Sequence, residues 1–105
     1  MFMRNLNPIN YTPFDDIINI LMEKAPTTDV ELAKKILKKC YEVGIVTKNS
    51  PKVGAAGLAC YINFLKTNNT NMVKISKLFS VSYPSSKLVF DIMNIYFKCE
   101  KINLN

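Results

Sequence analysis

The chain has no histidine, three cysteines, three glycines and not one acidic residue between Val43 and Phe90. Each absence removes a class of function. Without histidine, and with Cys40, Cys60 and Cys99 far apart and no C-x-x-C pair, a zinc site has no ligand set. The same gap leaves no nucleophile and base to pair, and so few glycines form no phosphate-cradling loop; neither an enzyme nor a cofactor is expected. An odd number of cysteines argues against a disulfide framework and for a reducing compartment. Each lies inside an apolar helical pattern, so buried thiols are expected. No stretch reaches the roughly 18 apolar residues of a bilayer span, and the start MFMRNLNPIN lacks the apolar run of a signal peptide. A soluble intracellular domain is the expectation. No strand alternation appears anywhere.

What is present is apolar residues and lysine. With 105 residues and 49% hydrophobic composition, the chain can build one core and is too short for two. Its 14 basic and 8 acidic side chains give a formal charge of +6, unevenly spread. Residues 1–33 carry Arg4 and Lys24 against Asp15, Asp16, Glu23, Asp29 and Glu31, and are net negative. The acid-free stretch holds Lys48, Lys52, Lys66, Lys74, Lys77 and Lys87, which points to a polyanionic partner. The competing explanation is a lysine-rich solvated surface in a protein from an AT-rich genome.

Start signals and apolar periodicity predict five helices over roughly residues 13–24, 29–43, 51–66, 71–79 and 83–97. Thr12 and Pro13 open the first, with Asp15 and Asp16 at its positive end and Phe14, Ile17, Ile18 and Leu21 on one face. Thr28 and Glu31 have capping-box spacing for the second, whose inward stripe is Val30, Ala33, Ile36, Leu37, Cys40 and Tyr41, with Lys34, Lys35, Lys38, Lys39 and Glu42 facing out. Gly44 is its natural stop, and Ile45 to Asn49 turn the chain back. Ser50 and Pro51 start the third, which from Val53 to Leu65 carries no charge and should be the buried post of the domain. Gly54, Ala55, Ala56, Gly57 and Ala59 keep its first half narrow; Tyr61, Ile62, Phe64 and Leu65 fill space in the second. The tail from Lys98 to Asn105 has little pattern and is expected to fray.

The last two helices carry the sharpest functional signal. MVKISKLFSVSYPSSKLVFDIMNIY fits a helix-turn-helix: Ile75, Phe79, Val81 and Val89 fall at its core positions, Ser76 where the helices meet, Ser80 and Val81 in the turn. Ser82 can cap the second helix. Ser86 breaks the pattern, standing where an aliphatic side chain normally packs. Phe79, Phe90, Tyr96 and Phe97 read as core rather than as stacking platforms for bases. Tyr83 is left open between lying along a DNA backbone and closing the small core.

AKKILKKCYEVGIVTKNSPKVGAAGLACYI (Ala33 to Ile62) followed by VKISKLFSVSYPSSKLVFDIMNIY (Val73 to Tyr96) resembles a cyclin-fold repeat of the transcription factor IIB family, closest to its second, C-terminal repeat, and the resemblance runs from about Tyr11 to Tyr96. It implies an all-α, five-helix cyclin-like fold and an initiation factor that binds double-stranded promoter DNA beside the TATA-binding protein, with RNA polymerase contacted by parts outside this chain. By that analogy Ser85 and Lys87 stand where the family reads bases with Thr and Arg. Lys lacks the planar two-pronged contact of Arg, so phosphate contacts are the safer expectation, from Lys74 and Lys77 with Lys52 or Lys66 flanking. A monomer acting in the nucleus, or in a cytoplasmic viral factory if the source is viral, follows from the same likeness. The alternative is a cyclin-like module that binds a protein through a groove between helices, without DNA.

Overall fold

The computed structural model describes residues 14–42 and 50–100, with side chains through Phe97. Five helices follow in chain order: α1 (Phe14–Lys24), α2 (Val30–Glu42), α3 (Pro51–Thr67), α4 (Met72–Leu78) and α5 (Tyr83–Glu100). The protein is all-α across the described residues. Thr12 with Pro13, the Gly44 stop, the Ile45–Asn49 link, Lys48, the Cys99 side chain and the last five residues fall outside them.

α3 packs against each of the other four helices, as its lack of charge requires. Residues 54–62 are buried without a break. Ser50 caps its start, its hydroxyl accepting the Val53 N–H at 3.4 Å, with Pro51 in the first turn where no N–H is needed. Asn68 ends it in the left-handed region (φ 59°), its N–H donating to the Phe64 carbonyl at 2.7 Å. Leu65 departs from expectation: it is exposed, because the buried stripe narrows once α3 passes its neighbours.

The two glycines of α3 mark where other backbones come close. A Cβ on Gly54 would sit 3.1 Å from Ile17 Cδ1 of α1. A Cβ on Gly57 would overlap Val89 Cβ and Cγ1 and lie 3.2 Å from the Ser86 carbonyl oxygen. That closeness explains Ser86. Fully buried against the narrow part of α3, it has no room for an aliphatic side chain, and its hydroxyl is satisfied by donating to the Ser82 carbonyl at 3.3 Å. Further along, Tyr61 stacks on Phe97 (5.8 Å, 17°) and meets the edge of Phe90 (6.0 Å), while Phe64 meets Phe90 edge-on (5.6 Å). α5 is thus held against α3 at a close crossing and by an aromatic cluster.

Buried residues of α1, α2, α3 and α5, together with Phe79 at the end of α4, join in one core. Cys40 and Cys60 belong to it, and burial pushes each thiol up to about 11. The Thr70 hydroxyl, buried without a well-formed hydrogen bond, faces Cys60 and offsets a little of that rise. Two expectations about helix ends change. The cap of α2 is Asp29, not Thr28: its carboxylate accepts the Leu32 N–H at 3.1 Å and also holds Lys66 at 2.9 Å, a cross-link that Thr28 could not make. α5 continues to Glu100, past the Phe97 end that its fading pattern suggested.

Candidate nucleic-acid interface

The candidate interface begins at the turn between α4 and α5. Asn71 caps α4 by accepting the Lys74 N–H at 3.1 Å. After Phe79, Ser80 takes a left-handed conformation (φ 58°). Its N–H donates to the Lys77 carbonyl and the Val81 N–H to the Ser76 carbonyl, both at 3.0 Å, which together form a Schellman motif. The turn therefore fixes how α5 leaves α4. Ser82 caps α5: its oxygen accepts the Ser85 N–H at 3.4 Å, its hydroxyl donates to Ser85 Oγ at 2.7 Å, and its carbonyl accepts the Ser86 N–H at 3.2 Å. Pro84 falls in the first turn, where its missing N–H costs nothing.

Ser82 is exposed, and Ser85 and Lys87 are half-buried, with their outer sides open to solvent. Ser82 and Ser85 spend hydroxyl capacity on each other, so each offers a ligand less than its full set of bonds. Lys87 donates to the Asp91 carboxylate at 2.7 Å, one turn along α5, and this hydrogen bond with the attached charge raises the lysine above its ordinary value. Lys87 stays cationic at any physiological pH, but Asp91 offsets its field. Asp91 was legible as the residue four places after Lys87; the acid-free stretch ends one residue short of it. The same helix also presents exposed Leu88 and Ile95.

Lys74 and Lys77 face elsewhere. Both line a cleft of about 640 Å³ between α4, the second half of α3 and the α1–α2 turn, and no residue of α5 is part of its lining. Among the described residues neither lysine forms an ion pair. Lys52 is exposed in the first turn of α3, eleven residues before Asn63 of that cleft, about 16 Å along the helix axis. Lys66, like Lys87, is already paired, to Asp29 at 2.9 Å, which offsets its field. The structure so divides the six expected residues into Ser82, Ser85 and Lys87 at the head of α5, Lys74 and Lys77 on the cleft, and Lys52 apart.

No family model, curated protein or solved structure matches the chain.

Asn63 is the lone polar side chain in the apolar run of α3, and its amide donates to the Asn69 carbonyl at 3.4 Å while the Thr67 hydroxyl donates to the Asn63 carbonyl at 2.8 Å. These bonds wire the short α3–α4 loop and set where α4 begins. Among the described residues no three His, Cys, Asp or Glu side chains lie close enough to hold a metal ion, and no helix is long and apolar enough to cross a membrane.

Proposed function

We propose that the chain is the DNA-binding, cyclin-like domain of a transcription initiation factor similar to transcription factor IIB, working at promoter duplexes with a TATA-binding protein and RNA polymerase. The observation that carries this reading is the α4–turn–α5 unit. A short helix ends in a hydrogen-bonded left-handed turn, and a capped second helix is pinned to a central helix with its first turns open to solvent. Lys74, Lys77 and Lys52 are exposed, and a duplex that extends beyond the head of α5 would meet them through phosphate oxygens. Ser85 and Lys87 would face the duplex, with Asp91 tempering the attraction at that point.

The test is binding of the full chain to AT-rich promoter duplexes, with and without a TATA-binding protein, followed by fluorescence anisotropy across a salt series. About three to four phosphate contacts give a slope of log affinity against log salt near −3. Lys87→Ala should reduce that slope by about 0.9 without unfolding the chain, and Asp91→Asn should tighten binding by releasing Lys87. Affinity that ignores salt, or is equal in all three proteins, removes the duplex from consideration.

A further inference from the structure

The cleft bordered by Lys74 and Lys77 has a character that duplex binding does not call for. Its reachable apolar lining is half-buried Ala25 and Ile75, with Leu78, 49% exposed, at the edge; Ala59 and Phe79 lie buried beneath them. The two lysines are three residues apart and so rise from the same side of α4. No carboxylate lines it. Asp29 belongs to an adjoining depression that shares Thr28, Ala59 and Asn63 with it, and is paired with Lys66 at 2.9 Å. At about 640 Å³ the cleft holds a few side chains, more than a lone anion fills. A phosphodiester backbone brings negative charge but nothing apolar for Ile75 and Leu78. A second copy of this chain carries a formal charge of +6, so a partner of net negative charge is favoured over it.

We propose that this cleft docks an acidic segment of a partner protein, seating one Leu- or Phe-sized side chain on Ala25, Ile75 and Leu78 while flanking carboxylates meet Lys74 and Lys77. The apolar anchor supplies the desolvated contact, and the lysines supply orientation and encounter rate. The site is separate from the head of α5, although Lys74 and Lys77 also belong to the duplex reading. Leu78, which carries no charge, distinguishes the two.

The experiment titrates a fluorescent peptide with a central Phe and Leu flanked by Asp and Glu against the full chain. Beside it run a version with Ser for Phe and Leu, and one with Lys for Asp and Glu. The parent peptide should bind at least about tenfold more tightly than either, with amide shifts at Ala25, Ile75 and Leu78. Lys74→Glu with Lys77→Glu should weaken it by about tenfold or more, whereas the same charge change made as Lys34→Glu with Lys38→Glu on α2 should leave it nearly unaltered. Leu78→Ser should weaken the peptide several-fold and leave duplex affinity as it was. All of these positions except partly exposed Leu78 are charged surface sites, so circular dichroism should show every variant folded. Equal binding of the Ser version would mean plain charge attraction and overturn the proposal. So would no binding of the parent peptide, no effect of the Lys74 and Lys77 changes, or sedimentation showing the cleft closed by a second copy.

Discussion

Adding one methyl group at Gly57 should do more damage than adding one at Gly54, although both glycines lie in the buried part of the same helix. In an unobstructed helix interior, Gly→Ala is favourable by about 1 kcal/mol, because alanine restricts the unfolded chain more. At Gly54 the new Cβ meets Ile17 Cδ1 at 3.1 Å, the far end of a side chain that can swing aside. Up to about half of the gain survives, so Gly54→Ala should be neutral or stabilising by up to about 0.5 kcal/mol. At Gly57 the new atom overlaps Val89 Cβ, which is fixed to the backbone of α5, and the Ser86 carbonyl stands 3.2 Å away. Relief requires α3 and α5 to separate, which also loosens Tyr61 from Phe90 and Phe97. Overpacking of this kind costs about 3 kcal/mol, so after the propensity gain the net loss is about 2 kcal/mol. Urea titration followed by helical circular dichroism measures it, and thermal melting should fall by roughly 10 °C. Gly57→Ala as stable as the parent, or Gly54→Ala the more harmful of the two, would refute the close crossing.

Ser80 occupies a left-handed position in which a side chain is strained, so Ser80→Gly should raise stability by about 0.5–1 kcal/mol; a loss would mean the Schellman turn is misdrawn. Asp29 has its carboxyl held below the ordinary 3.8 by the Lys66 hydrogen bond and then by the Leu32 amide. Its contribution is therefore complete above that ordinary value and lost as pH falls through the lowered one. Asp29→Asn keeps a capping oxygen but not the charge, so its melting temperature should lie below the parent's at about pH 7 and converge with it near pH 2, and a gap that persists in acid would contradict the pairing. Cys40 and Cys60, with thiols near 11, are ionised to about one part in a thousand at pH 8, and both are buried. Thiol reagents should label them only on unfolding; three fast-reacting thiols in the native protein would show the core to be wrong.

Much of the architecture could be read along the chain because its causes are local. Ser50-Pro51 starts α3 by capping and a pre-set backbone angle, and the apolar spacing of Ile17, Ile18 and Leu21 or of Ala33, Ile36, Leu37 and Cys40 selects the inward faces by helical period alone. Ser82 was recognisable as a cap for the same reason. The end of α2's start signal was not. Thr28 and Asp29 are both competent caps, and the choice went to Asp29 because Lys66, 37 residues away, lies within reach of its carboxylate. The candidate site was legible as residue types and not as a constellation. Lysine spacing marked Lys74, Lys77 and Lys87 as outward-facing, but not that the first two border a cleft with Ala59 and Phe79 while the third is paired with Asp91.

The sequence by itself determined that the described residues are helical, where α3 and α5 begin, and which faces of α1 and α2 turn inward, since period, capping and chain stiffness act within a few residues. Only the tertiary structure decided that Ser86 must be small, that Lys66 pairs with Asp29, and that Lys74 and Lys77 line a cleft with Ala25 and Ile75. Those outcomes depend on how close α3 comes to α5 and α4, a distance set by side chains far apart in the chain, and no local pattern records it.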